Sequence, residues 1–404
     1  MRYSLFSTIT VIVLATILAA TADTQEAESE LVLPGARPMV MAANYPSLQA
    51  AFDALPEEGG MVVLPPGHFV ITEPILIHTA DTCVMGSGTA THIENRNEEG
   101  LAAIIVDHSE AEADRGANRL WRVRLSNFRV TGNEKSGAGI EARYVNEILL
   151  DTLTVSYNGG DGLLLDHCYE DPRIQSCLIT YNKATGINLL GCHDIIVSAT
   201  QFEENQDALH CFDGYNLTMT GNTIDDHLGH GVVIENTYGS VVSGNMIEEC
   251  AGTAIIIDRD CYGNTISSNV IAHNGAGIDI RDGHGHAISA NTFTLMKTDA
   301  LIVGPTSGRL AITGNSFCNS YIGDGSVRRA VDDLEAGGIR LSGTSDITLT
   351  GNQFSSLTGS AVAITDDANR IVFSANVFTD VPSQHGDAKD GIEQGNLDSN
   401  DADK

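Results

Sequence analysis

The chain has 404 residues, with 22 Lys plus Arg against 53 Asp plus Glu, a formal net charge of -31. That balance argues against nucleic acid, whose phosphates call for a basic surface, and it disfavours anionic membranes. A polyanionic sugar would be repelled as well unless metal ions or a local basic patch intervene, while an acidic surface keeps a protein soluble at high salt.

Residues 1–22 read as a secretory signal peptide: Arg2, an apolar run from Leu5 to Ala20, then the small-x-small site Ala20-Thr21-Ala22. The expected location is therefore secreted, periplasmic or extracellular. No later run approaches the length of a membrane span. Residues 23–44 read as a linker. A helix is expected next, with Ser47 as N-cap and Leu48, Ala51, Phe52 and Leu55 at helical spacing. The segment MVVLPPGHFVITEPILI that follows reads as strands.

The rest of the chain repeats itself. Markers at Asn127, Thr152, Ser176, Thr200, Asn222, Asn245, Asn269, Asn291, Asn315, Asn352 and Asn376 are separated by 22 to 25 residues, with one gap of 37. Around the later markers the text recurs as TGNTI, SGNMI, SSNVI, SANTF, TGNSF, TGNQF and SANVF. This period is one coil of a solenoid, and Asn at the marker suits a left-handed bend and a stacked amide ladder. Past each marker a small residue, such as Ala208, Gly231, Ala254 or Gly277, is followed by an aliphatic one and, two further on, by another apolar one. That is period-two alternation with one buried face, once per coil. The predicted fold is all-β: a single-stranded right-handed parallel β-helix of about a dozen coils over residues 45–380, capped by the N-terminal helix. The long gap holds VRRAVDDLEAGG, expected to be an excursion with a short helix, and the acidic tail 381–404 is expected to be disordered.

The eight cysteines include no CxxC pair, which disfavours structural zinc. Cys168 and Cys192 fall at equivalent positions of neighbouring coils, where either a disulfide or two stacked buried thiols would fit.

Gly59-Gly60-Met61-Val62-Val63-Leu64-Pro65-Pro66-Gly67 after the cap helix resembles the opening of the pectate-lyase superfamily, and with the coils the likeness covers residues 45–380. The resemblance implies the pectin-lyase-like fold, with substrate over the outer face of the first sheet and the turn before it. The fold hosts lyases, hydrolases, epimerases and non-catalytic proteins. Two segments resemble family 28 glycoside hydrolases, the polygalacturonases: Asn205-Gln206-Asp207, like their NQDD, and Gly229-His230-Gly231-Val232, like their GHG. By that resemblance Asp207 is an acid–base carboxylate and His230 its orienting partner. Asp161-Gly162 is similar to the DG of their NTDG. Ala208 stands where the second Asp of the pair would be, Leu164 replaces a later Asp, and the basic segment has only Arg281 as its counterpart.

Outward positions of the first-sheet strands gather His210, Glu235, Asp258, Asp279 and Arg281 in the middle coils. Crowded carboxyls there should raise at least one pKa, as an acid catalyst requires. Asp258 and Asp279 are one coil and two residues apart, about 8 Å between Cα atoms, within the ~6.5–9.5 Å used for inverting glycoside hydrolysis. A lyase would instead need a base and a group to neutralise the uronate carboxylate, such as Arg281, or His210 with Ca2+ on Glu235 and Asp258. Asp225, Asp226 and His227 are a second candidate metal set. The expected function is a lyase or hydrolase acting on an extracellular acidic polysaccharide. The alternative is a non-catalytic β-helix that binds a glycan or surface, or serves as a scaffold.

Overall fold

A computed structural model describes residues 33–109, 118–318, 337–365, 367–381 and 388–399. The signal peptide and the helix expected within the 37-residue gap lie outside them. Met1–Arg37 form one unit, of which residues 33–37 run through a turn, and Pro38–Lys404 form a second.

In the second unit three parallel sheets share every coil. Among the described residues they contain 12, 17 and 14 strands, and each strand pairs with its equivalent one coil later. A typical coil enters the first sheet at Val232–Glu235, the second at Val241–Ser243 and the third at Met246–Glu248. Alternation decides which side chains face in. Leu209, Val232, Ile255 and Ile278 lie in register on neighbouring first-sheet strands and are fully buried. On the third sheet Phe293, Phe317, Phe354 and Phe378 stack at 4.8 to 5.1 Å between ring centroids. The core is thus a column of identical rungs, with each side chain covered by its copy above and below.

The cap forms as expected. α1 (Leu48–Asp53) has Ser47 as its N-cap, whose Oγ accepts the Ala50 N–H at 3.1 Å, and it buries Ala51 and Phe52. The linker does more than link, because Met39–Met41 pairs with Met61–Val63 as a first strand of the second sheet.

The marker asparagines need one correction. From Asn222 onward they form a buried ladder, each Nδ2 donating to the next Oδ1 at 2.9 to 3.1 Å. The left-handed residue is the one before each of them, such as Gly221, Gly244, Ser268 or Ala290. Asn127, Thr152 and Ser176 are themselves left-handed, so Phe128, Leu153 and Cys177 are the true counterparts of the ladder. The acidic tail is also partly ordered. Ile392–Gln394 and Leu397–Asp398 add another rung, because Asn396 continues the ladder from Asn376. Cys168 and Cys192 stand as buried thiols, donating to Ala142 O and Leu165 O.

Candidate active site

The outer face of the first sheet places the expected residues in register. Asn188 faces His210, His210 faces Val233, and Phe212, Glu235 and Asp258 form a neighbouring row. Asp279 sits beside Ile256 on the next rung. Glu235 and Asp258 are thus like charges on adjacent strands, an arrangement that needs compensation. Two arginines supply it. Arg259 Nε lies 2.9 Å from Glu235 Oε1, and Arg281 bridges Asp279 at 2.8 Å and Asp258 at 3.9 Å.

Glu235 has a second partner. Its Oε2 receives His210 Nε2 at 2.9 Å, with both side chains more than two-thirds covered. A carboxylate on Nε2 favours the tautomer with the proton there, which leaves Nδ1 with a lone pair. His210, Glu235 and Arg259 therefore form a chain of imidazole, carboxylate and guanidinium. Arg259 also leans over Phe212, 5.5 Å from the ring centroid.

The edge where chain enters the sheet follows one rule: a side chain caps the backbone N–H one coil later. Asp161 Oδ1 accepts from Thr185 N at 2.8 Å, Asp207 Oδ1 from His230 N at 2.5 Å, and His230 Nδ1 from Thr253 N at 3.0 Å. His230 meets Asp207 through its backbone, so its ring does not orient that carboxylate as the hydrolase resemblance implied. Asn205 is an interior ladder residue, donating to Ile179 O. Asp161 Oδ2 also accepts from Asn188 Nδ2 at 3.0 Å. Burial pushes the Asp161 carboxyl above its ordinary range, against the lowering effect of Asn188, Thr185 and the nearby His210.

The carboxyl pair Asp258 and Asp279 is brought together, but around Arg281. A Ca2+ site on Glu235 and Asp258 does not fit, since guanidinium groups already neutralise both. The second metal set is also redrawn. Alternation turns His227 inward, where it is 1% exposed and its Nδ1 accepts the Asn205 N–H at 3.2 Å. Burial pulls its pKa down to about 4. Glu249 takes its place near Asp225 and Asp226, with ligand-type oxygens within 4.8 Å of one another. Burial, the Glu249 hydrogen bond and the neighbouring Asp225 raise the Asp226 carboxyl. Glu248 is raised too, by burial and by Asp225. Arg259 and the Asp161–Asn188 pair were not singled out from sequence. Asp161-Gly162 was a signal for the latter; Arg259, at the start of a turn, has no periodic signal.

A family model for the right handed beta helix region matches residues 102–258, 170–317 and 242–401. The chain belongs to that family. No curated protein matches. Among solved structures, this β-helix resembles the A-module of mannuronan C-5 epimerase AlgE6 from Azotobacter vinelandii, at 13% identity over 89% of this chain and 99% of that one, TM-score 0.55. It resembles tailspike protein 3 of bacteriophage CBA120 at 14% identity over 81% of this chain, TM-score 0.58, but spans only 59% of the tailspike. It also resembles the surface protein and adhesin PfbA of Streptococcus pneumoniae, at 12% identity over 89% of this chain and 100% of that one, TM-score 0.53. At these identities the likeness is one of fold. No helix among the described residues is long and apolar enough to cross a membrane.

Proposed function

We propose that this chain is an exported enzyme that binds an acidic polysaccharide along the outer face of the first sheet and removes the proton next to a uronate carboxylate, the first step of lyase-type cleavage. The observation that carries the reading is His210, fixed through Nε2 on Glu235 at 2.9 Å and leaving Nδ1 as a base. That the structural neighbours include a polysaccharide epimerase supports the substrate class.

In the step, Nδ1 of His210 takes the C5 proton. The electron pair left behind spreads into the uronate carboxylate, then forms the C4–C5 double bond as the C4–O bond breaks. Arg259 and Arg281 each carry five N–H donors, only some of which are used by Glu235, Asp258 and Asp279, so both retain donors for a substrate carboxylate. Asp161, held toward its protonated form by burial, supplies the proton to the leaving oxygen. Hydrolysis by Asp258 and Asp279 is less well supported, because Arg281 lies between them, 2.8 Å from Asp279 and 3.9 Å from Asp258, in an ion-pair cluster.

A second reading has its own support. Every ionisable group of the His210–Arg281 face has a protein partner, as in a static ladder of charge that only binds a glycan. The test is incubation of the protein with a panel of polyuronates in D2O. Absorbance of the unsaturated uronate is expected, since elimination leaves C5 without a hydrogen; deuterium at C5 of uncleaved chains would instead mean that the proton is taken and returned without cleavage. New reducing ends without either signal mean hydrolysis, and binding without any product means the second reading.

A further inference from the structure

The turn that leaves the first sheet carries a second periodic feature. Tyr169, His193, Tyr215, Tyr238, Tyr262 and His284 lie on successive coils and their rings touch in sequence. The centroid distances are 4.1, 4.7, 5.4, 6.0 and 5.5 Å. Arg119 covers the Tyr169 end, 3.8 Å from the ring centroid. Five steps of about 4.8 Å make a strip roughly 24 Å long.

This strip differs from the phenylalanine stack inside the molecule. Phe293, Phe317, Phe354 and Phe378 are at most 1% exposed, whereas Tyr215 is 45% and Tyr262 39% exposed. Core burial explains the first stack and not the second. The backbone also fixes the outer rings: His193, Tyr215 and Tyr238 are bridged in parallel one to the next, Tyr238 to Tyr262, and Tyr262 pairs with His284. A row of aromatic side chains with few torsions, held by the solenoid, loses little entropy when it is contacted.

Position and chemistry indicate what contacts it. Tyr215, Tyr238 and Tyr262 come three or four residues after Phe212, Glu235 and Asp258, so the strip runs beside the candidate site on the same coils. Tyr215, Tyr238 and Tyr262 stack at interplanar angles of 25° and 13°, with Tyr215 and Tyr262 exposed, while His193 meets Tyr215 edge-on and the Tyr238 hydroxyl donates to Asn236 Oδ1. From Tyr215 to His284 the centroid distances exceed the rung spacing, which offsets the rings and leaves part of their faces uncovered. Two carboxylates beside the strip are engaged, Asp194 by Asn216 Nδ2 at 2.8 Å and Asp213 by Asn236 Nδ2 at 2.5 Å. An apolar rim with regularly placed hydroxyls matches a pyranose polymer, which is itself an apolar C–H surface edged by hydroxyls.

We propose that this aromatic strip is a binding track for the polysaccharide, parallel to the solenoid axis. The chain lies with its carboxylates toward Arg259 and Arg281 and its C–H surfaces toward the rings. This rests on the reading of the site as one that takes an acidic polysaccharide. It predicts affinity that grows with chain length until the strip is spanned.

The test is calorimetric titration of polyuronate oligomers of graded length into the parent, Tyr215→Ala/Tyr238→Ala and His210→Gln proteins. The double Ala variant should bind long oligomers about tenfold more weakly and the shortest oligomers as the parent does. His210→Gln should bind all lengths normally while losing turnover. Hydroxyl-radical footprinting of the parent adds a readout free of any variant's folding: a bound long oligomer should protect Tyr215 and Tyr262. Parent-like binding by a folded double variant, or no protection of those tyrosines, overturns the track and leaves the catalytic reading standing. A parent that binds no oligomer overturns both.

Discussion

Two interior ladders run along the coils, and they differ beside the candidate site. At the turn between the second and third sheets, Asn222 to Asn396 repeat one device. Each side chain donates to the next Oδ1 and to a strand carbonyl, as Asn269 does to Asn291 and to Val242 O, and each Oδ1 receives the backbone N–H below it. At the turn between the third and first sheets the same device starts with Asn158, Asn182 and Asn205, breaks at His227 and Cys250, and resumes at Asn274. An amide both accepts and donates, so a rung with amides on both sides is satisfied, as Asn182 is between Asn158 and Asn205. The imidazole of His227 accepts through Nδ1, but its Nε2 is buried with no protein partner. The broken rungs lead into the strands of Glu235 and Asp258, whereas the strand of Asp207 and His210 follows the intact rung Asn205. The uniform ladder lies away from the candidate site, and the interrupted one borders it.

The largest expected effect breaks the regular ladder. Asn269→Ala removes the acceptor for Asn245 N and Nδ2 and the donors to Val242 O and Asn291 Oδ1, all in a dry interior. It should cost about 3 kcal/mol or more, read by denaturant unfolding. Acid comes next. Burial holds His227 and His286 at about 4, against 6.5 for an exposed histidine. Between those values the unfolded chain binds more protons than the folded one. The stability associated with each is therefore complete above about pH 6.5 and declines as pH falls toward 4, by roughly 3 kcal/mol apiece. A His227→Asn/His286→Asn protein should show a flatter profile over that window; an unchanged slope would place the titration elsewhere. The smallest effect is a gain. His227→Asn alone should repair the rung below Asn205 and raise stability at neutral pH by about 1 kcal/mol, seen as a higher melting temperature. A loss of stability there would mean that the histidine fits its rung better than an amide does.

These contrasts also show what the sequence could reveal. Coil length, the inward row of Val232, Ile255 and Ile278, and the outward positions of His210 and Asp279 were legible because they depend on period alone. The first three markers were one residue early. The early coils fill the ladder position with Phe128, Leu153 and Cys177, and the polar residue beside each drew the alignment. Gly395-Asn396 repeats the turn text, but the acidic composition around it masked one more rung. His227 looked like a ligand because Asp225 and Asp226 precede it, whereas alternation sends it to the interior. Arg259 and the Asp161–Asn188 contact join residues 24 or more positions apart, and only the stacked coils bring them together.

The central claim is that proton abstraction centres on His210 and Glu235, with Asp279 and Asp258 holding Arg281 in place. It is tested most directly by the rate at which unsaturated uronate forms from a polyuronate that the parent cleaves, compared for His210→Gln and Asp279→Asn. The expected result is a fall of about 10²-fold or more for His210→Gln at unchanged melting temperature, and a smaller loss for Asp279→Asn. A His210→Gln protein that forms unsaturated uronate at the parent's rate would contradict the account.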